Sequence, residues 1–310
     1  MGRSSDKRSA MAEPPAIACA VDPVILLGMH RSGTTMIAQL LDELGLFLGA
    51  KVQGDHEAIY FLELNDLLFK NVNATWDHPA GFLAFLPHES AVEMSVRCLR
   101  GDLLSRSARR FMGLKNSVQY RSIDALGRPW GWKDPRNVFT LPLWLKLFPK
   151  AKIINIVRNG IDVASSLMVR ERKLLQGRQA KFDQRYNRTS TRSRLQRAGY
   201  RGSARCLSIE GGFSLWEEYV GRAERVMEGL PNPQVTVVYE RFLEKPKKHL
   251  RQLVDFCQLP TVSDQAIAKS CQSVNAGRGL AFLNDPELNR FYQSVRTDPL
   301  MVRYGYDGLG

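Results

Sequence analysis

Several common features are scarce or missing in this chain. There are five cysteines, Cys19, Cys98, Cys206, Cys257 and Cys271, and no two form a CxxC pair. An odd count without paired spacing argues against a disulfide framework and a thiolate zinc site, and reads as reduced thiols of a cytoplasmic protein. The five histidines show neither HExxH nor HxxxH spacing. No metal is therefore expected to be required. No apolar run approaches the roughly 20 residues of a membrane span. The N-terminal stretch is basic but lacks an apolar core, which argues against a secretory signal. Residues 1–22 read as a disordered leader, and 23–310 as a single domain.

Acids are also in short supply. Asp and Glu number 31 against 44 Lys and Arg, a formal charge of +13. Such an excess suggests an anionic partner: nucleic acid, an acidic membrane face or a polyanionic small molecule. The excess is concentrated. Arg170–Arg205 holds 12 basic residues against Glu171 and Asp183, a net +10, which leaves +3 for the rest. With few apolar residues, this segment, at about 170–205, reads as an exposed basic insertion or lid. It lacks the interleaved aromatics and the reader motifs of a nucleic-acid binder, so no nucleic-acid partner is expected.

What is present is an alternation of short β-branched runs and helical patterns. Val24–Met29, Lys152–Val157 and Val235–Tyr239 read as buried strands. Helical spacing falls on Thr34–Gly45, Glu57–Lys70, Asn137–Phe148, Asp162–Arg170, Phe213–Glu228 and around Pro246–Cys257. The order implies an α/β fold, P-loop-like and three-layered, with a mainly parallel sheet flanked by helices.

Behind the first strand stands Gly28-Met-His-Arg-Ser-Gly-Thr-Thr35. Its glycines have the GxxxxG spacing of a P-loop, where successive amides and a helix N-terminus favour a phosphate. Thr34 stands where a nucleoside triphosphatase needs its lysine, and the strand KIINIV ends in Arg158-Asn159 instead of a magnesium-binding aspartate. A P-loop small-molecule kinase therefore fits poorly. A nucleotide with a different transferable group at its 5′ end fits better. Arg158 lies at the C-terminal end of a strand, where such folds bind ligands, and can grip a phosphate bidentately.

These residues carry a resemblance. Arg31-Ser-Gly-Thr-Thr35 after a strand resembles the 5′-phosphosulfate loop of sulfotransferases that use 3′-phosphoadenosine 5′-phosphosulfate (PAPS), in the form found in bacterial and tyrosylprotein members. Arg158-Asn-Gly-Ile-Asp-Val-Ala-Ser-Ser166 is similar to the family's 3′-phosphate segment. Gly131-Trp-Lys-Asp-Pro-Arg136 resembles its KDP segment, and Val238-Tyr-Glu-Arg-Phe-Leu243 with Pro246 its YExL…P segment. Together they cover about residues 24 to 260. The resemblance implies a PAPS-dependent sulfotransferase that moves a sulfuryl group to a hydroxyl or amine and releases adenosine 3′,5′-bisphosphate. It places the 5′-phosphate on Arg31, Ser32, Gly33, Thr34 and Thr35, and the 3′-phosphate on Arg158 and Ser166. Tyr239 is expected on the nucleotide side.

Sulfuryl transfer spreads charge over peripheral oxygens, so positioned cations should do most of the work. Arg31 and Lys133 are the candidates. The acceptor also needs a base. Gly54-Asp-His-Glu57 with Leu64-Asn-Asp66 resembles a segment of bacterial relatives whose glutamate matches Glu57. His56 is the alternative base, and the two are not expected to point inward together. Arg278-Gly279 faintly resembles the C-terminal RxG phosphate clamp of the family's cytosolic branch, but its surroundings do not match and it is not counted. The acceptor could be a small molecule, glycan or peptide. A basic lid suits an acidic one.

Overall fold

Among the described residues four strands form one sheet. The computed structural model describes residues 15–185 and 200–309. β1 (Val24–Gly28), β2 (Gly131–Lys133), β3 (Lys152–Val157) and β4 (Gln234–Val238) stand in the order β2-β1-β3-β4. Every pairing is parallel, with Val24 opposite Gly131 and Lys152, and Ile153 opposite Gln234. Parallel pairing puts the C-terminal ends Gly28, Lys133, Val157 and Val238 on one edge. That is the edge on which open α/β sheets bind ligands.

The connections are helical. In chain order they include α1 (Thr34–Glu43), α2 (Ile59–Lys70), α3 (Ala80–Phe85), α4 (Glu89–Leu103), α5 (Arg109–Gln119), α6 (Asn137–Leu147), α7 (Gly160–Arg185) and α8 (Ile209–Met227). After β4 come α9 (Tyr239–Glu244), α10 (Pro246–Phe256), α11 (Asp264–Ser270), α12 (Pro286–Val295) and α13 (Pro299–Arg303). Both faces of the sheet are covered, which is why the strands read as continuous apolar runs. Ile25, Leu27, Ile153 and Val157 face the layer that contains Leu141 and Trp144 of α6 and Trp216 of α8. Val24, Leu26, Ile154 and Ile156 face Ile37 and Leu41 of α1 and Leu250 and Val254 of α10. Burying each such side chain is worth about 1.5–3 kcal/mol.

A buried polar network fixes the β2 edge. The Asn65 amide on α2 donates to Asp134 Oδ2 at 3.0 Å and Asn137 Oδ1 at 2.9 Å. Its carbonyl accepts from Thr140 Oγ1 at 2.9 Å and Trp144 Nε1 at 3.0 Å. Asn137 Nδ2 in turn donates to the Leu26 carbonyl of β1 at 3.1 Å. Both ends of the fully buried Asn65 amide are thus satisfied, as a buried amide requires. Phe61 stacks on Trp132 with ring centroids 4.1 Å apart. Gly131 lies so close to β1 that a Cβ there would collide with the Val24 carbonyl.

The expected strands and the helices at 34–45, 137–148, 213–228 and 246–257 form within a few residues of their anticipated ends. The helix expected from Glu57 starts instead at Ile59, because the preceding residues are tied into a turn by Gln53 N–H to the Glu57 carbonyl at 3.0 Å. The helix expected over 162–170 continues to Arg185. The first sixteen residues of the basic segment thus form the C-terminal part of α7, and residues 186–199 lie outside the described residues. Residues 15–22, assigned above to the leader, lie against the domain: Ile17 is buried and its N–H reaches the Leu147 carbonyl at 2.8 Å. The remainder of the leader, residues 1–14, lies outside the described residues.

Candidate active site

The turn from β1 into α1 leaves backbone donors free at a helix N-terminus. Gly28, Arg31 and Gly33 all have positive φ, of 140°, 68° and 85°. Gly33 stands at the α1 N-cap with no side chain capping the helix. The first amides of α1 therefore have no intrahelical partner, and the helix dipole points at the same spot. A Cβ on Gly33 would collide with the Tyr239 ring. Ser32 is fully buried, and its Oγ has no hydrogen-bond partner among the described residues.

Around this turn the sheet edge gathers cations. Arg158, at the end of β3, lays its guanidinium over Tyr239 with Cζ 4.9 Å from the ring centroid. It donates to Asp162 Oδ2 at 2.9 Å, the Arg278 carbonyl at 2.7 Å and the Arg31 carbonyl at 3.3 Å. Its Nε is buried without a partner among the described residues. Arg31 Nε donates to Ser166 Oγ at 2.9 Å, which joins the loop to α7. Burial and the charges of Arg170, Arg158 and Arg278 all lower the Arg31 guanidinium pKa, against Asp55.

Lys133, at the end of β2, is 2% exposed and meets the 6%-exposed Glu57 with Nζ 2.9 Å from Oε1. The same Nζ donates to the Asp55 carbonyl at 2.6 Å, which also accepts from Thr35 Oγ1 at 3.0 Å. Gln53 Nε2 donates to the other Glu57 oxygen at 2.5 Å. Burial pushes the Glu57 carboxyl above its ordinary value, and Lys133 opposes this. His56 turns elsewhere: with φ 58° its Nε2 lies 3.1 Å from Asp42 Oδ2. The two adjacent base candidates thus separate, with Glu57 on the wall of the cavity and His56 at the flank of α1.

One cavity of about 490 Å³ takes in Arg31, Gly33, Thr34, Thr35, Glu57, Lys133, Arg158 and Tyr239. Of the other sequence-based candidates, Ser32 is buried within the loop and Ser166 is half-buried and bonded to Arg31. Among the further residues that line it and were not among the candidates are His30, Arg170 and Arg278. Arg170 carried a signal, since it lies four residues beyond Ser166 and so on the same helical face. His30, at the foot of the cavity, packs edge-on to Trp76 with centroids 4.8 Å apart. Burial and the surrounding cations hold its imidazole pKa well below the ordinary value, so it is neutral at neutral pH. Five cations, Arg31, Lys133, Arg158, Arg170 and Arg278, face two carboxylates, Asp55 and Glu57, a net +3.

The wall opposite β2 is braced from below. Glu240 accepts from the Asn159 N–H at 3.1 Å and from Tyr306 O–H at 2.5 Å. Asp162 accepts from the amides of Ala281 at 3.3 Å and Phe282 at 3.0 Å while pairing with Arg158. These two carboxylates anchor the C-terminal segment to the end of β3. Among the described residues no group of His, Cys, Asp or Glu could hold a metal ion, and no helix is long and apolar enough to cross a membrane. All five cysteines are free thiols.

Fold and site define a P-loop-like α/β protein with a cation-lined cavity at the strand edge. The chain belongs to the sulfotransferase family, whose model matches residues 23–264. A protein of Aquifex aeolicus (strain VF5), described only as uncharacterized, is 24% identical over 261 residues, which cover 77% of this chain and 26% of that protein. The chain thus spans about a quarter of that relative's length. Among solved structures, the sulfotransferase domain from the curacin biosynthetic pathway aligns over 95% of this chain and 97% of its own, with a TM-score of 0.44 and 17% identity. Sulfotransferase STF9 from Mycobacterium avium aligns over 89% and 77%, with a TM-score of 0.41 and 16% identity.

Proposed function

We propose that the chain transfers a sulfuryl group from PAPS to a hydroxyl or amine acceptor by in-line displacement. The observation that carries this reading is one cavity that joins the uncapped Gly33 turn and the Arg158 guanidinium to the buried Lys133–Glu57 pair. The orphaned Ser32 Oγ and Arg158 Nε fit a doubly phosphorylated nucleotide, since both can donate to phosphate oxygens. The donor supplies an activated sulfuryl group on a phosphate leaving group.

In this reading Ser32, Gly33, Thr34 and Thr35 hold the 5′-phosphate, and Arg158 with Ser166 holds the 3′-phosphate that separates PAPS from ATP. Tyr239 supports the nucleotide side. Arg31 and Lys133 place positive charge where negative charge grows in the transition state. Glu57 accepts the acceptor's proton, and Gln53 and Lys133 fix the orientation of its carboxylate. Its raised pKa makes it a better base than an ordinary carboxylate, and such catalysis is worth about 10²–10⁴-fold. No metal is needed for these roles. We read 23–310 as one domain and place it in the cytoplasm, which suits five free thiols.

The test is a thermal-shift titration with adenosine 3′,5′-bisphosphate beside Mg·ATP. Saturation at 100 times Kd should stabilise the fold by about 2.7 kcal/mol. A shift with Mg·ATP and none with the bisphosphate favours a kinase and ends this reading.

A further inference from the structure

The second half of α5 is folded inside out. Phe111, Leu114 and Val118 fall at i, i+3 and i+7, the spacing of one buried helical stripe. Only Phe111 is buried. Leu114 and Val118 are 89% and 85% exposed, the highest values of any large apolar side chain among the described residues. Polar residues take their place inside. Asn116 is 7% exposed, with its amide donating to the Met112 carbonyl at 3.0 Å. The Ser117 hydroxyl is buried with no hydrogen-bond partner among the described residues. The cause is Gly113. At φ 71° and ψ 176° it breaks the helix and turns the following residues outward. Its φ favours glycine, and a Cβ there would collide with Ala50. A single exposed aliphatic residue is ordinary. Burying Asn and Ser while exposing Leu and Val sets the local pattern against the fold, and such conflicts mark functional surfaces.

The surrounding charge says what covers this turn. Between Asp102 and Asp124 the chain has no acidic residue and five cations, Arg106, Arg109, Arg110, Lys115 and Arg121, a net +5. All five are exposed. Arg110 also meets Glu63 at 2.7 Å, a surface pair that solvent weakens. Outside residues 170–205 the whole chain carries only +3, so this charge is a local concentration. Leu114 and Val118 project into solvent instead of lining a groove, which suits a lipid boundary better than a fitted protein pocket. Projecting aliphatic side chains among Lys and Arg are the make-up of an interfacial anchor: the side chains enter the acyl boundary and the cations meet lipid phosphates. The patch adjoins the cavity. The Ala50 N–H donates to the Phe111 carbonyl at 2.8 Å, and the chain runs from Ala50 through the 37%-exposed Val52 to the Glu57 turn.

We propose that the turn Leu114–Gln119 docks the protein on an anionic phospholipid membrane. Leu114 and Val118 enter the headgroup boundary, and the cations of residues 106–121 meet the lipid phosphates. The docked face adjoins the loop that carries Glu57. The inference does not depend on the reaction proposed above.

The test is sedimentation of the full chain with vesicles at about 0.15 M salt. One set is phosphatidylcholine alone, and the other is equal parts phosphatidylcholine and phosphatidylglycerol. The anionic vesicles should bind at least about tenfold more tightly than the neutral ones. Leu114→Ser with Val118→Ser should weaken that binding by at least about tenfold. Melting temperature and adenosine 3′,5′-bisphosphate affinity should not change in this variant, since both side chains lie in solvent. Lys115→Gln with Arg121→Gln should lessen the preference for anionic vesicles. Equal binding to both vesicles, or to neither, overturns the proposal. A double serine variant that binds like wild type assigns the attraction to the chain's total charge and overturns it as well. Capture by polyglutamate but not by vesicles would make the partner an acidic protein, which also overturns it.

Discussion

Replacing Lys133 by methionine should show how strongly the Lys133–Glu57 pair is coupled. The two charges are 2.9 Å apart with side-chain exposures of 2% and 6%. At an effective dielectric constant of about 20 they attract by about 6 kcal/mol, and most of this offsets the cost of taking both from water. Lys133→Met leaves Glu57 buried with only Gln53 as a partner, which should cost about 3–5 kcal/mol. That is a large part of the about 5–15 kcal/mol that holds a domain together. Lys133→Met with Glu57→Gln removes both charges and should lie close to wild type, within about 1 kcal/mol. Urea unfolding of the four proteins closes the cycle. The sign with pH follows from Glu57. Without Lys133 its folded pKa rises further above the unfolded value, so the ionised form is penalised as pH rises through that pKa. The deficit of the single variant should therefore be largest near pH 8 and shrink toward pH 5, where the carboxyl takes up a proton. A single variant as stable as wild type, or a double variant that loses the sum of the singles, would refute the claim of a tightly coupled buried pair.

Other outcomes follow from the same geometry. Gly33→Ala, at φ 85° and against the Tyr239 ring, should weaken adenosine 3′,5′-bisphosphate binding by at least about tenfold in calorimetry, since the backbone strain alone is worth about 1–3 kcal/mol. Arg158→Lys loses the fork and the stacking on Tyr239 and should weaken the same ligand by about tenfold, with little change in melting temperature. The acid limb of kcat/KM against pH should lie above the ordinary carboxylate range, because burial raises the Glu57 pKa, and Glu57→Gln should remove most of the activity at every pH. His30 has a folded pKa below its unfolded one, so the unfolded chain binds more protons in that window. Stability should rise with pH up to about 6.5, and His30→Phe should flatten that slope in thermal scans.

The sheet and the glycine-bracketed turn were legible because their signals are local. Gly28 and Gly33 bracket the loop by sequence spacing alone, and Arg158 follows an unbroken apolar strand. β2 was not foreseen as a strand. Three residues carry no periodicity, and Gly131 matters only because β1 presses on it from more than a hundred residues away. The choice between Glu57 and His56 was equally closed to spacing arguments. Both precede α2 in a turn where His56 takes a positive φ, and that twist sends one side chain into the cavity and the other to Asp42. Arg278 reaches the cavity through the grip of Asp162 on the Ala281 and Phe282 amides, a contact spanning some 120 residues that no local pattern announces. The helical run of the basic segment through Arg185 was hidden by its composition, which lacks an apolar stripe to betray the period.

The position of that C-terminal segment bears on how the protein can be cut. The family match ends at residue 264, a natural place to set a cloning boundary. Ser273, Asn275 and Arg278, beyond it, form part of the cavity wall, and Phe282, 1% exposed, plugs the core beside Asp162. A recombinant fragment trimmed at the homology limit would keep every recognisable motif, yet lose one wall of the cavity and strip Asp162 of the Ala281 and Phe282 amides and Glu240 of the Tyr306 hydroxyl.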